Sequence, residues 1–165
     1  MNTPHEFIPV CYKLVVILLT FRLPTIAALN GHAFGGGCLL ALAHDFRVMC
    51  ENQGYICMNE IELPVGLPAG FVATVKSKLN NPIALRNCVY GHRFTAGEAL
   101  KVSLIDNAAL QDKVFPTAID LAMKISSKAK QRGVVLHQIK AELYHETVKT
   151  LLTSELIPGT YLSKL

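Results

Sequence analysis

PTIAALNGHAFGGGCLLALAHDFRVM (Pro24–Met49) carries the reading on which the rest of this 165-residue chain depends. Thr25–Leu29 is a short apolar run of strand type, closed by the turn pair Asn30-Gly31. Ala33–Gly37 is a glycine-rich loop, and Cys38–His44 reads as a buried helix whose Leu39, Leu40 and Leu42 leave little polar surface. Phe46–Met49 is a second apolar strand. Strand, glycine loop, buried helix and strand in this order predict an α/β core.

Outward on the C-terminal side, Tyr55–Met58 reads as a further strand, parted from Phe46–Met49 by the polar turn Glu51–Gly54. Pro64, Gly66, Pro68 and Gly70 then break the chain repeatedly. Helices are expected at Phe71–Leu79 and Ile83–Gly91. Thr95 followed by Glu98 fits a capping box opening a helix that runs to about Leu104. Asp106–Leu110 is a last short strand, and 115–131 and 134–152 are two helices parted by Arg132-Gly133. On the N-terminal side, residues 6–21 are strongly apolar and read as an amphipathic or buried helix ending before Arg22. This stretch is too short for a membrane span, contains Pro9 and Lys13, and lacks the flanks of a signal peptide.

Hydrophobic residues make up 51% and charged residues 17%, which excludes a disordered chain. Net charge is +4. Lys124, Lys128, Lys130, Arg132, Lys140 and Lys149 are read as a solvated helix face, and no DNA-binding motif accompanies them. Cys11, Cys38, Cys50, Cys57 and Cys88 form no CxxC pair and lie in apolar stretches, as small buried hydrophobes of a reducing compartment do. No His pair has metal-ligand spacing, so no metal site is expected. The closing Ser163-Lys164-Leu165 is the peroxisomal import address, which implies an import receptor as partner and the peroxisome as location.

Two features can carry chemistry. Gly35, Gly36 and Gly37 lead into a helix, so their N–H groups can point at a developing negative charge, the recipe for an oxyanion hole. A sharp strand-to-helix turn is the other use of the same glycines. Glu60 follows an apolar strand among apolar neighbours. A carboxylate held there has its pKa raised, which suits a group that accepts and returns a proton near neutral pH. Glu62 would share its side in an extended chain and stays a rival. His32 and His44 flank the glycine loop as hydrogen-bonded structural residues, and Cys38 is an inert buried thiol at a helix start.

Pro24–Met49, then YICMNEIELPVGLP (Tyr55–Pro68), then HRFTAGEALKVSLID (His92–Asp106) together resemble the enoyl-CoA hydratase/isomerase, or crotonase, superfamily over about residues 12 to 152. The resemblance implies a crotonase-like α/β core of ββα repeats, present in part, followed by a helical C-terminal region. The whole forms one partial domain over 1–165, with 12–110 as core and 111–165 as the helical region with the targeting tail. It implies acyl-CoA thioesters as substrate, with coenzyme A part of the substrate and no separate cofactor. It also implies self-association, as a trimer. The middle glycine, Gly36, would donate one oxyanion N–H, and Phe34, Gly35, Gly37, Leu39 and Leu40 would contact substrate. Hydratases of the family use two glutamates. Here Leu39 stands at the first of those positions and Glu60 at the second, the pattern of Δ3,Δ2-enoyl-CoA isomerases. Met1–Phe21 does not match the βαβ-type region that precedes this one in the family and supplies the second oxyanion N–H. Two functions are therefore expected: isomerisation of 3-enoyl-CoA to 2-enoyl-CoA, or an inactive, shortened subunit that binds acyl-CoA or forms oligomers.

Overall fold

A computed structural model describes residues 4–63 and 66–154. The chain opens with helix α1 (Pro4–Leu19) and then twice repeats strand, strand, helix. The first repeat is β1 (Ile26–Leu29), β2 (Ala33–Phe34) and α2 (Gly36–Ala43). The second is β3 (Phe46–Cys50), β4 (Ile56–Cys57), a short 3-10 turn (Glu60–Glu62) and α3 (Ala69–Lys78). There follow α4 (Pro82–Val89), α5 (Ala96–Lys101), β5 (Asn107–Ala109), α6 (Val114–Ile125), α7 (Val134–Leu143) and α8 (His145–Thr153).

Among the described residues the named strands pair in parallel, and Ile56 of β4 also makes an antiparallel bridge to Phe94. β3 lies between β1 and β5, with Ala28 opposite Val48 and Met49 opposite Ala108, while β2 and β4 form a separate pair. The turn Glu51–Gly54 therefore does not fold the second strand back on the first. Each repeat sends its first strand to the larger sheet and its second to the smaller, which is the ββα pattern the resemblance implied. The link between repeats is tight at Gly54 (φ 89°), where any Cβ would run into the Gly31 backbone.

β3 is the central strand, and Arg47 to Cys50 are all buried. Its side chains alternate between two cores, as period-2 geometry demands. Val48 and Cys50 face α6 with Ala109, Val114 and Ala118. Met49 faces the larger core, with Leu39 and Leu42 of α2, Tyr12, Val15 and Leu19 of α1, and Phe94. α1 presents residues 12, 15 and 19 at helical spacing to this core, yet its other face is also apolar. Phe7, Val10, Leu14, Ile17 and Phe21 are exposed.

Several expectations need correction. The two C-terminal helices are three: α6 ends at Ile125, and a break at Tyr144 divides 134–153 into α7 and α8. Lys140 is not on a solvated face. It is 5% exposed, and its Nζ lies 2.5 Å from Asp45 Oδ2 while donating to the Phe21 and Leu23 carbonyls at 3.1 and 3.4 Å. Asp45 also accepts from the N–H and hydroxyl of Thr25, so one half-buried carboxylate ties α7 to the start of β1. Arg47 is buried beside it, donating to Leu104 and His44 carbonyls and pairing with Asp106 at 3.4 Å. Four of the five cysteines are buried, whereas Cys11 is half-buried. The targeting tripeptide Ser163-Lys164-Leu165 lies outside the described residues. No described helix is long and apolar enough to cross a membrane.

Candidate active site

The glycine loop is built by the β2–β4 pair. The Gly35 N–H donates to the Cys57 carbonyl at 2.8 Å, and the Gly35 carbonyl accepts from Leu39 N–H at 3.0 Å. Gly35 adopts φ 51° and ψ −115°, open in practice only to glycine, and this turns the chain from β2 into α2. Gly36 and Gly37 occupy the first helical positions. Among the described residues their N–H groups have no backbone acceptor, and a Cβ on either would meet only open space. These two glycines, at the positive end of a helix, line a hollow.

That hollow has a volume of about 570 Å³. Its floor is Gly36, Gly37, Leu39 and Leu40 of α2, one wall is α1 from Phe7 to Val15, and the other is Leu67, Pro68 and Phe71 at the start of α3. Among the described residues Glu60 is the one carboxylate on its lining. β4 and Asn59 deliver Glu60 against the glycine turn, so that a Cβ placed on Gly35 would lie 3.2 Å from its Oε1. Its Oε2 is buried and accepts no hydrogen bond. Burial therefore pushes its pKa above the ordinary carboxylate value, only partly offset by its own backbone N–H. An orphaned carboxylate oxygen beside free amide donors and apolar walls can take up and release a proton, while the amides hold an oxyanion.

The other residues singled out from the sequence separate cleanly. The chain at Glu60–Glu62 is a 3-10 turn, not extended, so the two glutamates diverge. Glu62 reaches out to Arg93 at 3.1 Å on the surface. Gly36, Gly37, Leu39, Leu40 and Glu60 meet at the hollow, and Gly35 backs Glu60. Phe34 does not line the hollow; it packs against His32, ring centroids 4.9 Å apart, with the Arg93 guanidinium over its face. His44 bonds the Leu40 carbonyl through Nδ1. Burial raises the Cys38 thiol well above its ordinary pKa, so its position near a helix start does not activate it. Among the described residues no group of three His, Cys, Asp or Glu could hold a metal. Sequence reasoning missed the α1 wall and Phe71. The available signal was a helix apolar on every side, which needs cover on more than one face.

Comparison with known proteins shows the family and the fold. The chain is 33% identical over 148 residues to "Enoyl-CoA delta isomerase 2, peroxisomal" of Arabidopsis thaliana, covering 88% of this chain and 61% of the relative. It is 32% identical over 122 residues to "Enoyl-CoA delta isomerase 1, peroxisomal" of the same plant, covering 73% and 50%. The chain thus spans only about half to three fifths of the length of these curated relatives. The crystal structure of human mitochondrial delta3-delta2-enoyl-CoA isomerase superposes with a TM-score of 0.79 at 26% identity, covering 92% of this chain and 59% of that one. The profile of the family described as "Enoyl-CoA hydratase/isomerase" matches residues 4–157. That match takes in the whole of α1, whereas the sequence resemblance began at about residue 12, within it. Glycine turn, single carboxylate, ββα repeats and sequence all converge: this chain belongs to the enoyl-CoA hydratase/isomerase family.

Proposed function

We propose that the chain carries the proton-transfer centre of a Δ3,Δ2-enoyl-CoA isomerase acting in fatty-acid β-oxidation. Glu60 removes a proton from C2 of a 3-enoyl-CoA. The electron pair moves to the thioester oxygen, which the Gly36 N–H receives as an enolate. Glu60 then returns the proton at C4, leaving the double bond between C2 and C3. One carboxylate suffices, because the proton leaves and returns on the same face. Adding water instead would require a second acid to hold it, and Leu39 stands at that position. What supports this reading above all is the unpartnered Oε2 of Glu60, a residue that lines the same apolar hollow as Gly36 and Gly37. The names of the plant relatives and the Ser163-Lys164-Leu165 tail support a peroxisomal location and recognition by the import receptor. The fold family supports an acyl-CoA thioester as substrate and self-association as a trimer.

The test mixes purified protein with trans-3-hexenoyl-CoA and follows the conjugated 2-enoyl product. Glu60→Gln is expected to lower turnover by about 10²-fold or more, the usual contribution of a positioned acid/base. Equal rates for the two proteins would remove Glu60 from the reaction.

A second reading is favoured by the exposed outer face of α1. In it the chain binds acyl-CoA, or joins other subunits, without turnover. Binding of 3-hexenoyl-CoA with no exchange of the C2 hydrogens into heavy water would select that reading.

A further inference from the structure

The far end of α1 borders a second concavity. It is a groove of about 430 Å³ between the end of α1 and the start of α7, lined by Ile17, Thr20, Phe21, Arg22, Val134 and His137. Its volume falls within the roughly 300–1,000 Å³ of small-molecule sites. Among the described residues it shares no lining residue with the hollow at Glu60, whose α1 wall ends at Val15.

Backbone contacts hold the groove in shape. A Cβ on Gly133 would run into the Arg22 carbonyl, so α7 begins pressed against the segment that follows α1. His137 Nδ1 donates to the Thr20 carbonyl at 2.6 Å, and Lys140 donates to the Phe21 and Leu23 carbonyls one turn further on. With Nδ1 committed to a carbonyl, Nε2 is the imidazole nitrogen left for a ligand. Ile17, Phe21 and Val134 are 54%, 39% and 51% exposed. Arg22 is exposed too, and among the described residues no carboxylate pairs with it. A guanidinium without a counter-charge, beside uncovered apolar side chains, fits an amphipathic anion: the fork takes the charge and the chain covers the apolar surface. A carboxyl group matches both polar partners, since its oxygens accept from Arg22 and its acid proton can be shared with Nε2. A phosphate, with a charge near −2, would leave part of that charge against apolar side chains.

We propose that this groove is a second ligand site, separate from the hollow at Glu60, and that it takes a single-chain carboxylate. The carboxyl group lies at Arg22 and His137, and the hydrocarbon lies on Ile17, Phe21 and Val134. The proposal rests on the groove and its lining alone and requires no chemistry at Glu60.

The experiment titrates sodium decanoate into the isotope-labelled full chain and follows the backbone amide resonances. Saturating shifts are expected at Phe21, Arg22, Val134 and His137. Arg22→Gln is expected to weaken decanoate by about tenfold or more, the loss of one hydrogen bond to a charged group. Decanol, with the same chain and no charge, is expected to bind the wild type more weakly by a similar factor. Val134→Asp keeps Arg22 but puts a charge where the chain would lie, and is also expected to weaken decanoate. Equal binding of decanoate and decanol, or no effect of either substitution, would overturn the proposal. So would shifts confined to Gly36, Gly37 and Leu40, which would place the acid in the other hollow. Inorganic phosphate shifting the same amides as tightly as decanoate would overturn it as well, since the hydrocarbon would then contribute nothing. None of these readouts involves Glu60, so failure here would leave the isomerase reading standing, and loss of turnover would leave the groove as proposed.

Discussion

At the scale of the residue, the site depends on one glycine and one carboxylate pressed together. Gly35 needs its φ of 51°, and a methyl group there would lie 3.2 Å from Glu60 Oε1 and 3.3 Å from Asn59 Oδ1. Gly35→Ala is therefore expected to move the carboxylate and to lower kcat by about 10²-fold, as small misplacements of a reacting group do, with Michaelis constants read in the same assay. The raised pKa of Glu60 gives a second expectation. The fold favours its protonated form, so between the ordinary value of 4.5 and the raised value the native state holds more protons than the unfolded state. Stability then falls as pH rises through that window and is flat above it. Urea midpoints are expected to show the wild type losing ground to Glu60→Gln from pH 4 to pH 7. A constant difference across that range would contradict the assigned burial. The sequence put Glu60 at the site through its apolar surroundings. Its separation from Glu62 was not legible, because two residues in an extended strand share a face and two residues in a 3-10 turn do not.

At the scale of the element, local signals were read well where the chain answers only to itself. The Thr95–Glu98 capping box is present in both directions: Thr95 Oγ1 accepts from Glu98 N–H, and Glu98 Oε2 accepts from Thr95 N–H at 2.8 Å. Thr95→Ala is expected to cost about 1 kcal/mol, measured as a fall in Tm. Its carboxylate partner is already held below its ordinary pKa by these bonds. The Tyr144 break was not legible, since the apolar periodicity of 134–152 runs through it. What fixes it is contact: the Lys78 ammonium donates to the Tyr144 hydroxyl at 3.1 Å and lies over the ring. The strands Phe46–Met49 and Tyr55–Met58 were likewise found as strands, but their partners come from the other repeat and not from the turn between them.

At the scale of the whole molecule, the C-terminal helices are fastened to the sheet by buried charge. Lys140 and Asp45 are separated by 95 residues, and their side chains are 7% and 16% exposed. Lys140→Met is expected to destabilise the protein by about 3 kcal/mol, near the lower end for breaking a buried pair, because the Thr25 groups continue to satisfy Asp45. Denaturant unfolding checks the value. A change below about 0.5 kcal/mol would place the pair among ordinary surface pairs.

The amino-acid order by itself determined the short strands of an α/β core, the glycine turn into α2 and a pair of candidate acids after β4. Each of these is written in a short run of neighbouring residues whose backbone preferences and polarity do not wait on distant partners. Only the tertiary structure decided which glutamate turns inward, that Lys140 is buried, that Phe34 stands away from the hollow and that α1 supplies its wall. Those facts belong to groups far apart in the chain. Charge and hydropathy give each such residue more than one satisfactory environment, and long-range packing selects one of them.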